Sequence, residues 1–230
     1  MIVAPIPKNE DLRLEALKSY DILDTQPEKS FDDIAKIASY ICQTPIALVV
    51  LLDAQRQWFK AKVGLDASET SRDSAFCAHA ILQDELFIIE DALQDERFFD
   101  NPLVTKDPHV RFYAGAPLID TQGLPLGTLC VIDRTTKTLS AEQRDSLKAL
   151  ARQVVTLLEL RRVAKQLADA LKEVETLQGL LPICAWCKNI HTGDGYWQRM
   201  EDYLSTHTNI KLTHGICPSC AGQYFSDSVS

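Results

Sequence analysis

From Ser140 to Gln178 the chain runs for thirty-nine residues without a glycine or a proline. The run opens on "SAEQ", where Ser140 can cap a helix and Gln143, three residues on, can reach back to it. This predicts one helix of roughly 58 Å at 1.5 Å per residue, about twice the width of a small domain. Two apolar patterns follow each other along it. Leu147, Leu150, Ala151, Val154 and Leu158 form a broad face suited to a sheet. Leu157, Leu160, Ala164, Leu167, Leu171 and Val174 recur in steps of three and four, a heptad seam. The helix is therefore expected to close its own domain and then pair with a second copy, giving a homodimer. The rival reading folds it back on its own domain.

Upstream the period changes. "NEDLRLEALKSYDIL" carries Leu12, Ala16, Leu17 and Tyr20 at helical spacing behind a cap at Asn9. "SFDDIAKIASYIC" repeats the pattern with Ser30 as cap and a stripe of Ile34, Ile37, Ala38 and Ile41, closed before Pro45. "IALVVLLD" then reads as a buried strand. "WFKAKVGL" reads as a half-buried one, with Trp58, Lys60 and Lys62 opposite Phe59, Ala61 and Val63. "FCAHAILQ" is a short helix, "LFIIEDA" a strand, and "DERFFDNPLVTKDPHV" a polar loop. "RFYAGAPLID" and "LGTLCVID" are strands joined closely enough to be antiparallel neighbours. Helices at both ends of an antiparallel sheet predict an α+β sandwich, with a pocket enclosed by the free face and the long loop.

A net charge of -8 argues against a nucleic-acid partner and against an electrostatic membrane surface. The N-terminal segment does not read as a signal peptide, and the longest apolar run, Pro45 to Leu52, is too short to cross a bilayer. A cytoplasmic location is expected. In that compartment the seven cysteines are not a disulfide framework. Cys42, Cys77 and Cys130 stand singly among apolar neighbours and read as small core residues, whereas the other four come in pairs.

"SAFCAHAI", "DALQDERFFDNPLV", "VRFYAGAPLI", "LGTLCVIDR" and "LSAEQRDSLKALARQV" resemble, in this order and spacing, a GAF domain of the bacterial sensor and cyclic-dinucleotide signalling type. The resemblance covers about Asn9 to Leu160. It implies a five- or six-stranded antiparallel sheet flanked by terminal helices, a small-molecule cavity on one face, and dimerisation through those helices. The Asn-Lys-Phe-Asp-Glu signature of cyclic-nucleotide binders is missing. Bilin-binding relatives attach chromophore at a cysteine followed directly by histidine, and here Ala78 separates Cys77 from His79. By placement, the candidate ligand contacts are Phe76, Cys77 and His79 on the short helix, Asp91 after the "FIIE" strand, Phe99 and Asn101 on the loop, and Arg111 and Tyr113 on the facing strand. Each has a plainer role: Phe76 and Phe99 as core, His79 bonded to backbone, Arg111 paired with Asp91 or Asp107.

The remaining cysteines form "CAWC", Cys184 and Cys187, and "CPSC", Cys217 and Cys220. Two such pairs supply the four ligands of a structural zinc site, leaving no open position for catalysis. His214 is an alternative ligand, His191 a weaker one. The 29 residues between the pairs are expected to fold on their own account. A hairpin tip is expected at Gly193-Asp194-Gly195, then a helical face of Trp197, Met200 and Leu204, then "IKLTHGI" as a returning strand. The segment also resembles a short cysteine-paired module appended to bacterial receiver, PAS and GAF proteins. The expected organisation is a GAF sensory domain over 1–158, a coiled-coil-like signalling helix over 159–178, and a zinc-ribbon-like module over 179–230.

No kinase, cyclase, phosphodiesterase or helix-turn-helix segment is recognisable, so a signal is expected to leave by binding a signalling protein. On this reading the chain is a non-enzymatic sensor. The alternatives are a GAF-type thiol redox enzyme or sensor acting through the cavity cysteines, Cys77 or Cys130, and a ligand-free dimerisation scaffold.

Overall fold

A computed structural model of the chain describes residues 1–178, 181–192, 195–207 and 211–224, with the side chains of 172–178 and 224 outside the description. It divides into two compact units, Met1–Leu167 and Ala168–Ser230. The first unit holds helices α1 (Glu10–Ser19) and α2 (Lys29–Cys42), strands β1 (Ile46–Leu52), β2 (Arg56–Val63) and β3 (Glu69–Ser71), and a 3-10 turn over Arg72–Ser74. Helix α3 (Phe76–Ala80), strand β4 (Phe87–Ile89), helix α4 (Pro102–Thr105) and strands β5 (Phe112–Ile119) and β6 (Pro125–Asp133) follow. Helix α5 runs from Ala141 to Gln178. The sheet is antiparallel in the order β3-β2-β1-β6-β5-β4.

Alternation along the strands sorts side chains into two cores. Ala47, Val49, Leu51, Phe112, Ala114, Leu129 and Val131 face the terminal helices. Ile46, Leu48, Val50, Tyr113, Cys130 and Ile132 face α3 and the loop after it. One bulge modifies the pattern: Val50 pairs with Phe59 but Val49 with Ala61, so Lys60 is the extra residue. Trp58 and Ala61 thereby share the helix-side core while Phe59 alone crosses to the other, which corrects the strict alternation expected of β2. Lys60 is buried on the helix side, 5.4 Å above the Phe31 ring, and donates to Glu28 Oε1 at 2.7 Å and the Gln26 carbonyl at 2.7 Å.

Helix α5 begins with the reciprocal cap expected of "SAEQ": the Gln143 amide donates to Ser140 Oγ at 3.2 Å and the Ser140 amide to Gln143 Oε1 at 3.0 Å. Leu147, Ala151, Val154 and Leu158 lie buried in the helix-side core. Beyond them Leu160, Ala164, Leu167 and Leu171 are exposed in the single chain, and the Val174 side chain lies outside the described residues.

Three local expectations are corrected. Leu12 is exposed, and Arg13 takes its place on the inner face of α1, wholly buried. Leu17 and Tyr20 set that face, and Arg13, one turn before Leu17, falls on it. Ser30 lies inside α2 rather than capping it; Glu28 holds the N-cap position, and the buried stripe is Phe31, Ile34, Ala35, Ala38 and Cys42, with Ile37 exposed. The segment read as a structureless loop contains α4, which starts at Pro102 behind Asn101, whose Oδ1 accepts from the Leu103 amide at 2.9 Å.

In the second unit β7 (Ile190–His191) pairs with β8 (Trp197–Gln198), followed by helices α6 (Met200–His207) and α7 (Pro218–Tyr224). Trp197 is therefore a strand residue rather than part of the α6 face. Residues 211–217 carry no regular structure where a returning strand was expected, and Ile210, Gly193 and Asp194 lie outside the described residues. Among the described residues no helix is long and apolar enough to cross a membrane.

Candidate functional site: a cavity with two thiols

A cavity of about 140 Å³ opens between the second face of the sheet, α3 and the segment after α4. Leu48, Phe59, Phe76, Val110 and Ile132 give it apolar walls, and exposed Ala67 and Asp107 stand at its rim. The volume is close to that of a cavity that accepts one benzene-sized molecule, and below the usual 300–1,000 Å³ of drug-sized sites.

Polar atoms converge at one place in these walls. The Thr128 hydroxyl donates to Cys77 Sγ at 3.0 Å and the Tyr113 hydroxyl donates to the same sulfur at 3.3 Å. The Cys130 thiol is hydrogen-bonded to it as well. The topology brings them together: Thr128 and Cys130 are two apart on β6 and share a face, Tyr113 stands on the adjacent β5, and α3 lays Cys77 across both. Gly115 makes room for the phenol, since a Cβ there would lie 2.3 Å from Tyr113 Oη. Burial works to raise the Cys77 thiol, but hydrogen bonds from Cys130, Thr128 and Tyr113 outweigh it and bring Cys77 below the ordinary thiol range. Burial, with the Cys77 sulfur beside it, pushes Cys130 well above that range, and Tyr113 is raised for the same two reasons.

Of the eight candidate contacts, the structure brings Phe76, Cys77 and Tyr113 to the cavity wall. Phe76 stacks on Phe98 with ring centroids 4.0 Å apart and on Tyr113 at 5.2 Å. The other five stand around the cavity rather than in its lining. His79 Nε2 lies 3.0 Å from the Ile2 carbonyl, and burial lowers its pKa, so the neutral ring donates and ties down the N-terminal segment. Asn101 caps α4 and donates to the Ser74 carbonyl at 3.0 Å, linking the loop to the turn before α3. Asp91 accepts from the Leu93 amide, and its Oδ1 lies 3.6 Å from Arg111 Nη1. Phe99 is 51% exposed. Thr128 was missed as a site residue, and Cys130 entered only in the thiol redox alternative. Their signal lies in "GTLCVI", where period two puts Thr128, Cys130 and Ile132 on one face.

In the second unit each cysteine pair has donor geometry suited to thiolate. The Cys184 sulfur accepts from the backbone amides of Cys187 and Trp186 and is hydrogen-bonded to the Cys187 thiol, which lowers its pKa. Cys217 is lowered by the Cys220 amide and the Cys220 thiol. Each pair has the C-x-x-C spacing of half a tetrahedral sulfur site, but among the described residues no group of three or more His, Cys, Asp or Glu comes together to hold a metal. His214 is exposed, and His191 packs edge-on against Trp197 at 4.9 Å.

A cyclic di-GMP phosphodiesterase of Pseudomonas aeruginosa is 46% identical over 143 residues, 62% of this chain and 24% of that protein. The chain thus spans about a quarter of that relative's length. The GAF domain of an Acinetobacter phosphoenolpyruvate-protein phosphotransferase is 18% identical, with 67% of this chain and 98% of that one covered and a TM-score of 0.49. A type II free methionine-R-sulfoxide reductase from Thermoplasma acidophilum is 16% identical, with 56% and 92% covered and a TM-score of 0.46. Likenesses at that level carry nothing about chemistry. The sequence model of the GAF domain matches residues 26–158, more than half of the chain, and the protein belongs to the GAF domain family.

Proposed function

We propose that the protein is a cytoplasmic signalling component that senses through its GAF cavity and acts by binding rather than by catalysis. The observation that carries this reading is the two-sided sheet. β1, β5 and β6 send alternate residues into the cavity wall and into the seat of α5, so Cys130 and Ile132 face the cavity while Leu129 and Val131 pack with Leu147 and Val154. A change of packing on one face is felt on the other because both are close-packed through the same backbone. The ligand is a molecule of benzene size or below, touching Phe76, Cys77 and Tyr113, while His79, Asp91, Asn101 and Arg111 tie the neighbouring segments by hydrogen bonds and an ion pair.

The exposed Leu160, Leu167 and Leu171 continue the seam and pair with a second copy. Cys184, Cys187, Cys217 and Cys220 together hold one structural zinc, which ties the terminal module into an output surface for a signalling partner. The thiolate-favouring geometry within each pair supports that assignment. Phosphodiesterase activity, named for a relative of which the matched segment is 24%, is not carried over. Native mass spectrometry of untagged protein from its own host tests the reading. We expect a dimer, one zinc per chain and a small non-covalent adduct. A monomer that carries neither metal nor adduct overturns it.

A further inference from the structure

Two hydroxyls and a thiol aimed at one sulfur are an unusual arrangement for a plain core residue. A neutral thiol is a weak acceptor, and buried hydroxyls in an apolar cavity need a good one. Thr128 and Tyr113 are both wholly enclosed, and each directs its hydroxyl to the Cys77 sulfur. The glycine that accommodates the Tyr113 phenol places that donor on purpose-shaped backbone. The two sulfurs both line the cavity and interact with each other, the pairing that a ~2.05 Å S–S bond needs. Cys42 offers a contrast: it is buried in the helix-side core with no such donors, and burial pushes its thiol up to about 11.

We propose that Cys77 and Cys130 are a hydroperoxide-responsive dithiol, with Cys77 the attacking sulfur, Cys130 the resolving one, and the cavity the entry for a small peroxide. This goes beyond the ligand-binding reading and does not require a bound metabolite. Hydrogen peroxide is little larger than water and fits a cavity of this volume. The Cys77 thiolate attacks one peroxide oxygen. An S–O bond forms and the O–O bond breaks. The leaving hydroxide takes up the proton that Cys77 had released, which Tyr113 or Thr128 can pass on, and departs as water. The Cys130 sulfur then attacks the Cys77 sulfur: the S–S bond forms, the S–O bond breaks, and the hydroxide leaves with the Cys130 proton as a second water. Two thiols and one peroxide give a disulfide and two waters, the thiols supplying both electrons. A small dithiol reductant reverses the change. Closing the bond draws α3 onto β6, the strand whose other face seats α5.

The test treats the folded full-length chain with hydrogen peroxide, blocks remaining thiols by alkylation, and maps cysteine peptides by mass spectrometry. The expected result is a Cys77–Cys130 cross-linked peptide, reversed by dithiothreitol, while Cys42 stays reduced. Cys130→Ala should stop the reaction at a Cys77 sulfenic acid that dimedone traps. Tyr113→Phe, which removes only the hydroxyl, should slow Cys77 oxidation roughly tenfold, as loss of a hydrogen bond to a charged group does. Wild-type protein in which Cys77 and Cys130 both remain alkylatable after peroxide overturns the proposal. So does oxidation of Cys42 at the same rate as Cys77, because the reaction then owes nothing to the cavity.

Discussion

Glu10 is the carboxylate on which the N-terminal half of the first unit turns. It accepts from Arg13 Nε and Nη2, both at 2.7 Å, and from Arg72 Nη1 at 2.5 Å. Arg13 also donates to the Leu52 carbonyl at 2.7 Å, at the end of β1, and Arg72, in the turn that leads to α3, donates to the Asp53 carbonyl at 3.0 Å, between β1 and β2. Burial works to raise the Glu10 carboxyl, but the hydrogen bonds and charges of Arg13 and Arg72 prevail and hold it at about 2 against an ordinary 4.5. At 1.36 kcal/mol per pKa unit this places about 3 kcal/mol in the ionised network. Because the folded-state value is depressed, the contribution is full above the unfolded value of 4.5 and is lost as pH falls toward 2.

The substitution that isolates it is Glu10→Gln, which keeps the shape and removes the charge. Urea unfolding followed by far-UV circular dichroism should show the variant about 3 kcal/mol less stable at pH 7, in keeping with the cost of leaving a buried arginine uncompensated. The gap between wild type and variant should shrink to about half at pH 3, where much of the wild-type advantage has been titrated away. Comparing the two proteins at each pH cancels the other carboxylates. A gap that is the same at pH 7 and pH 3, or below about 0.5 kcal/mol throughout, refutes the assignment of a charged Glu10 as the clamp.

Three further outcomes follow from the site and the helix. Gly115→Ala forces the Tyr113 phenol aside, so the chain should lose about 1–3 kcal/mol in thermal or urea unfolding, with slower alkylation of Cys77 by iodoacetamide. Leu167→Asp puts a charge in the exposed seam and should convert the proposed dimer to monomer in light scattering with helix content unchanged; an unaltered dimer removes α5 from the interface. Cys220→Ser should release zinc and raise amide exchange over 181–224 while 26–158 keeps its protection; wild-type protein that contains no stoichiometric zinc removes the metal from the account.

Much of the frame was legible in residues close together in sequence. The reciprocal cap of Ser140 and Gln143, the apolar face from Leu147 to Leu158, and strands β1, β5 and β6 all follow from local pattern, because neighbours within one turn or one pleat decide them. β3 and α4 escaped. The first is three residues long, and the second is announced only by the pair Asn101-Pro102, too short for a period to show. The burial of Arg13 was readable from its place one turn before Leu17. The burial of Lys60 was not, since it depends on a bulge set by the pairing of β1 with β2.

The sequence by itself determined the antiparallel sheet between terminal helices and a helix too long to end within its own domain, both consequences of spacing along the chain, and five of its segments resemble the family. Only the tertiary structure decided that Cys77 meets Cys130. Fifty-three residues separate them, and each alone reads as a small apolar core residue. What unites them is α3 lying across β5 and β6, with Gly115 admitting the Tyr113 hydroxyl to the same sulfur. Sequence spacing carries no information about which faces meet when elements pack, and the reactivity of a thiol is set by those meetings.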